Sequence, residues 1–251
     1  MNRPVEARSA ASPVATLHCV FAVAVVLAAK HLELGGLTAL LPLGAAIQAL
    51  AAACFALTTT VSPAGDPRGA AGLSLVGAVA RLVVWRCGGF STGDPVEMRV
   101  YGASTAAAAA LLALGLVRHG GVGPALPAGA VVAAAVLGAV LVHPQVDPRP
   151  LVNILWTFGV LVDAWAAAPR LRAPAPVLGL DEWCLHWWVV TAVGAAVGGW
   201  FWVQVLAEDP GLGAGVVPAL ALAFVFKAVS FTAAGAEAAR PLLSSPEFRW
   251  W

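Results

Sequence analysis

The chain has 251 residues, of which 60% are hydrophobic and 11% charged, whereas an ordinary soluble domain carries about 25% charged residues. A soluble fold of this length could not hide that much apolar surface, which leaves lipid as the solvent for most of the chain. The net charge of +1 comes from Lys and Arg scattered singly, which excludes the clustered basic face that nucleic-acid binding requires.

Apolar stretches run at 14–30, 37–61, 70–87, 100–118, 124–143, 150–169, 185–206 and 213–235, close to the about 17–25 residues that cross a hydrocarbon core of about 30 Å. They lack the alternation of barrel strands, so each is predicted as a helix, the form that satisfies its own backbone in lipid. The first stretch follows Arg3 and Arg8 and ends in small residues, a layout shared by a signal peptide and a first membrane span. In either case the second stretch enters from the lumenal side.

Short breakers separate the stretches: Ser62 to Pro67, Gly93-Asp94-Pro95, His119-Gly120-Gly121, Pro144 with Pro148 and Pro150, Pro174 with Pro176, and Glu208 to Gly211. Each removes a backbone donor or permits a turn. With eight spans and a cytosolic N-terminus, Arg3, Arg8, Arg68, Arg118, Arg170, Arg172, Arg240 and Arg249 are cytosolic, against Lys30, Arg86, Arg99 and Arg149 opposite. That bias agrees with the positive-inside rule. The cysteines, Cys19, Cys54, Cys87 and Cys184, show no CxxC and no nearby His that would complete a zinc pattern, and read as small apolar packing residues.

Three ionisable residues lie inside spans: Arg81, Asp163 and Lys227. Each costs about 2.5–3.5 kcal/mol on insertion scales and asks for a reason. Asp163 lies seven residues after Trp156 and ten after Asn153, so the three fall near one helix face. Lys227 is too central to reach the interface and reads as a neutral or carboxylate-paired amine. Asp163 is open to two readings, a ligand-facing acid or an internal counter-ion for Arg81 or Lys227. His186, beside Trp183, Trp187 and Trp188, reads as part of an interfacial aromatic belt.

The run Asn153-Ile154-Leu155-Trp156-Thr157-Phe158, then Asp163, then Pro169-Arg170-Leu171, resembles the fifth-helix motif of the KDEL receptor family: E-I-L-W-T-F, a carboxylate, then P-Q-L. Without a gap, His186 and Trp202 fall on the family's sixth-helix histidine and tryptophan. Ala80-Arg81-Leu82 resembles the family's T-R-Y of helix two, and Glu97 to Val100 resembles the V-M-K-V start of its helix three. The resemblance covers residues 37–235, leaving 1–36 as an extension and 236–251 as a cytosolic tail.

The resemblance implies an all-α bundle of seven transmembrane helices of the KDEL receptor, SWEET and PQ-loop type, two three-helix repeats joined by one helix. It implies a receptor of the endoplasmic reticulum and Golgi membranes that returns escaped lumenal proteins by binding C-terminal KDEL or HDEL peptides, more tightly at acidic pH. Arg81, Trp156, Asp163, Trp202 and Asn153 would bind the peptide, with coat proteins engaged on the cytosolic face. A guanidinium suits carboxylates because its planar fork gives two parallel hydrogen bonds; the other reading of Arg81 is a structural pair with Asp163.

The chain departs from the family at Asn153, which replaces a glutamate, at Ala195 and Val205, which replace arginines, and at Gly194 and Gly198, which replace tyrosines. Gly194 and Gly198 form a GxxxG pattern that would let a neighbouring helix approach closely. Pro241 to Trp251 contains no lysine, so a dilysine coat signal finds no support there. Competing functions are a PQ-loop-like small-solute transporter and a non-binding scaffold. A retinal Schiff base at Lys227 would require a carboxylate on an early helix, and 100–118 has none. No enzyme motif is present, and no cofactor is expected.

Overall fold

The computed structural model describes residues 39–59, 67–88, 95–122, 128–144, 147–166, 182–208 and 216–243. The expected stretch at 14–30, with Cys19, lies outside them. The described residues form seven helices: α1 (Leu40–Leu57), α2 (Arg68–Arg86), α3 (Pro95–Arg118), α4 (Ala128–Leu141), α5 (Pro150–Ala164), α6 (Glu182–Glu208) and α7 (Val216–Leu243).

The helix ends follow local chemistry. Pro95 opens α3 and Pro150 opens α5, where a missing N–H costs nothing because the first turn has no internal acceptor for it. Gly88 follows α2 at φ 71° and Gly120 and Gly121 follow α3 at φ 82° and 96°, in the left-handed region that glycine enters without steric cost.

Five helices, α1, α2, α3, α6 and α7, are long and apolar enough to cross a membrane. Large apolar side chains face outward, including Leu114, Leu137, Leu222 and Val229, a surface that water would not support over so wide an area. This is a multi-pass, all-helical membrane protein. The expected span at 150–169 ends early, at Ala164, and that at 124–143 is described from Ala128 only. The 14 described residues of α4 and the 15 of α5 rise about 21–23 Å, less than the about 30 Å of a hydrocarbon core. In the other direction, α7 continues past 235 to Leu243.

Helix packing follows a repeated scheme. α1 packs on α3 and α3 on α2; α5 packs on α7 and α7 on α6. Between these triplets, α1 packs on α6 and α2 on α5, while α4 packs on α5. Exchanging α1 with α5, α2 with α6 and α3 with α7 returns the same scheme. Arginines tie neighbouring helix ends at both ends of α2: at its start Arg68 Nη1 donates to His119 O (2.9 Å) and Arg118 Nη1 to Ala56 O (3.0 Å), and past its end Arg149 Nη1 donates to Cys87 O (2.9 Å).

Glycines permit both crossings between the triplets. A Cβ on Gly77 of α2 would fall 2.6 Å from Gly159 O of α5, and one on Gly159 would fall 2.9 Å from Gly77 O. Across α1 and α6, Gly44 lies over Gly194 O and Gly198 N, at 3.5 and 3.6 Å from its would-be Cβ. The close approach expected of Gly194 and Gly198 is divided between two helices: a Cβ on Gly194 would meet Gln48 of α1 at 2.6 Å, and one on Gly198 would meet Phe224 of α7 at 2.7 Å. Small residues let backbones meet where lipid provides no hydrophobic drive.

Aromatic packing corrects the expected belt around His186. Trp187 and Trp188 are fully buried, with ring centroids 4.4 Å apart, and both contact Phe231. Trp187 also meets Phe55 of α1. The pair therefore joins the triplets. The cysteines divide as well: Cys54 and Cys184 are buried, but Cys87 is exposed just beyond α2, so the packing role expected of it does not hold.

Candidate functional site

At the α2–α5 crossing the helices run antiparallel, so that Arg81 lies level with Gly159 and Asp163 level with Gly77: the would-be Cβ of Gly159 falls 3.2 Å from Arg81 Cγ, and that of Gly77 2.8 Å from Asp163 Cβ. Arg81 stands four residues after Gly77 and Asp163 four after Gly159, one helical turn onward on the same face. Arg81 Nη1 donates to Asp163 Oδ2 at 3.0 Å and to Gly159 O at 3.2 Å. Lys227 of α7 donates from Nζ to the same Asp163 Oδ2 at 2.6 Å and to Gln48 Oε1 of α1 at 3.3 Å. Gln48 in turn donates from Nε2 to Thr191 O of α6 at 3.1 Å. One carboxylate thus joins both triplets.

Its electrostatics are lopsided. Arg81 Nη1 and Lys227 Nζ share one oxygen, so they lie within about 5.6 Å of each other. At an effective dielectric of about 20, each cation gains about 5.5–6.5 kcal/mol from the carboxylate and loses at least about 3 kcal/mol to the other, with the desolvation of all three set against that. With all three groups ionised, the cluster holds together and carries one positive charge in excess. Asp163 and Lys227 are 3% and 2% exposed, so water neutralises little of it.

A cavity of about 50 Å³ opens beside the cluster, with Gln48, Arg81, Tyr101, Trp156, Asp163 and Lys227 in its wall. A smaller chamber of about 20 Å³ touches Gln48, Ser74, Asp163 and Thr191. Ser74 Oγ approaches the carboxylate without a hydrogen bond of normal geometry, and Asp163 Oδ1, Ser74 Oγ and Thr191 Oγ1 are buried without hydrogen-bond partners.

The five residues singled out from the sequence separate here. Arg81, Trp156 and Asp163 meet at the cavity. Trp202 lies behind Trp156, ring centroids 5.3 Å apart, within a buried cluster containing Val84, Val160 and Leu220. It shapes the wall through Trp156. Asn153 departs from the expectation that it faces the ligand. Its Nδ2 donates to Asp147 O at 2.7 Å and its Oδ1 accepts from Asp147 N at 3.0 Å, which commits the amide to the loop before α5. The reason is geometric: Asn153 lies in the first turn of α5, ten residues before Asp163, about 15 Å away along the axis.

Asp147 is held in turn by Arg149, through Nε at 2.8 Å and Nη2 at 2.8 Å. The guanidinium, together with the Arg149 backbone N–H, pulls the Asp147 carboxyl down to about 2.

Sequence reasoning missed Gln48, Ser74 and Thr191. Gln48 carried a signal, as the one amide inside the otherwise apolar α1. Ser74 and Thr191 carried none, because serine and threonine satisfy themselves in many helices by bonding to the preceding turn. Among the described residues, no group of three or more His, Cys, Asp or Glu could hold a metal ion. Compared with known proteins, the chain matches no family model, no curated protein and no solved structure.

Proposed function

We propose that the chain binds a carboxylate-bearing ligand in the central cavity, and that this ligand is the C-terminal end of a lumenal protein carrying a KDEL- or HDEL-type signal. On this reading the protein is a divergent retrieval receptor of the endoplasmic reticulum and Golgi, with coat proteins engaged on its cytosolic face. One observation carries it: Arg81 and Asp163 meet across the two triplets in a cavity walled by Trp156. Intramembrane charges facing a cavity are functional by default, and the doubled triplet with α4 between agrees with the repeat layout that the resemblance implies.

The test is binding of peptides ending in KDEL or HDEL at about pH 5.5 and about pH 7, across the range in which histidine titrates. Tighter acidic binding by the intact protein that is lost in Arg81→Ala supports the receptor. Equal, negligible binding in all samples removes it.

A second reading, a small-solute carrier of the PQ-loop and SWEET kind, is favoured by the size of the cavity. About 50 Å³ is a third of a cavity that accepts benzene, about 150 Å³, and small for a tetrapeptide. The site also lies between two repeats, where carriers place their substrates.

A further inference from the structure

Arg81 commits only part of its guanidinium. Its hydrogen bonds to Asp163 and Gly159 O both leave from Nη1, so among the described residues Nε and Nη2 keep their N–H groups, the edge with which a guanidinium grips two carboxylate oxygens at once. Lys227 likewise places two of its three N–H donors, on Asp163 and Gln48, and keeps one. Both residues line the 50 Å³ cavity.

Charge and room narrow the ligand further. With Arg81, Lys227 and Asp163 all ionised, the cluster has one positive charge in excess, and Asp163 is the one carboxylate among the described residues lining the cavity. A monoanion brings the site to neutrality. A dianion would overshoot it and add a second negative charge beside the Asp163 carboxylate. The remaining wall includes Leu41, Val160 and Phe224, which suits a short apolar tail, and the volume limits that tail to a few atoms.

We infer that the cavity takes a small monocarboxylate of about two or three carbons, gripped by the free edge of Arg81 and by Lys227. This inference rests on the small-solute reading. The same carboxylate chemistry could arrive as the C-terminus of a peptide; the small volume of the cavity favours the free acid. Lys227 is then a specificity residue: by joining Arg81 against a single acid, it sets the charge that the ligand must carry.

The test uses the purified full-length protein in detergent at neutral pH and constant ionic strength. Melting temperature and binding isotherms are recorded with sodium acetate, sodium lactate, sodium malonate, sodium chloride and a KDEL-ending peptide. Acetate or lactate should bind saturably and raise the melting temperature, with malonate and chloride at least about tenfold weaker. Lys227→Met and, separately, Arg81→Lys, which keeps the charge but loses the fork, should each weaken acetate binding about tenfold or more.

Where Lys227→Met fails to fold, Arg81→Lys carries the decision. Malonate binding as tightly as acetate overturns the charge argument, and chloride doing so overturns the carboxylate grip. Peptide binding without acetate binding overturns the free-acid inference while leaving the receptor standing. Acetate binding without peptide binding supports the inference and ends the receptor reading, and binding of neither overturns both.

Discussion

Gln48 and Asp163 occupy matching places in the two triplets: each stands four residues after a glycine at an inter-triplet crossing, Gly44 and Gly159, and each accepts from Lys227 Nζ, at 3.3 and 2.6 Å. Ser74 and Thr191 match in the same way, three residues before Gly77 and Gly194. The centre of the bundle is therefore a repeated framework in which one copy carries an amide and the other an acid. Arg81 has Gly198 as its counterpart, four residues after Gly194, so the charge imbalance arises where the repeats differ.

Removing the acid should cost more than removing the amine. Asp163→Asn leaves Arg81 and Lys227 facing each other without an anion, with an expected loss of about 3–5 kcal/mol. Lys227→Met leaves the Arg81–Asp163 pair intact and should cost less. Combining the two should recover part of the Asp163→Asn loss, a coupling readable from denaturant unfolding in detergent. Additive losses would contradict the shared-oxygen arrangement.

The two crossings should differ in their tolerance of a methyl group. In Gly77→Ala the new Cβ meets backbone, Gly159 O at 2.6 Å, whereas in Gly194→Ala it meets the Gln48 amide nitrogen at the same distance. Backbone cannot step aside as a side-chain amide can. Gly77→Ala should lose about 1–3 kcal/mol and Gly194→Ala less, while detaching Gln48 from Lys227. Thermal melts of the two variants give the order.

Asn153 should matter for stability and not for ligand. Asn153→Leu removes both hydrogen bonds to the Asp147 backbone, an expected cost of about 1–3 kcal/mol for the groups left unpaired. Affinity at the central cavity should stay within about twofold, less than the tenfold that about 1.4 kcal/mol would produce. A large affinity loss with unchanged stability would return Asn153 to the ligand site.

The loop before α5 should keep its form in mild acid. Because Arg149 lowers the Asp147 pKa to about 2, below the ordinary carboxylate value of about 3.9, its contribution to stability is complete above that ordinary value. It is lost only as the pH falls through about 2. In Arg149→Ala the Asp147 titration should move up towards the ordinary value. Carbonyl-carbon chemical shifts followed against pH would record both curves.

Much of this architecture was legible because lipid imposes a simple rule: apolar length marks helices, and proline and glycine mark their ends. The ends of α2, α3 and α6 fall within a few residues of expectation for that reason, whereas α5 stops at Ala164 although apolar residues continue to 168. Hydropathy measures solubility in lipid and is blind to where the backbone turns. Arg81, Asp163 and Lys227 were visible because charge inside a span is conspicuous. Their shared oxygen was not, since it depends on Gly77 and Gly159 meeting across 82 residues of sequence. Trp187 and Trp188 misled because a tryptophan next to a span end fits an interface and a core equally well.

Cys87 offers a way to watch the bundle move. Among the described cysteines it alone is exposed, and its carbonyl accepts Arg149, which stands at the head of the other triplet. A fluorophore or spin label on that thiol would sit on the seam between the two halves and register their parting as a change in signal.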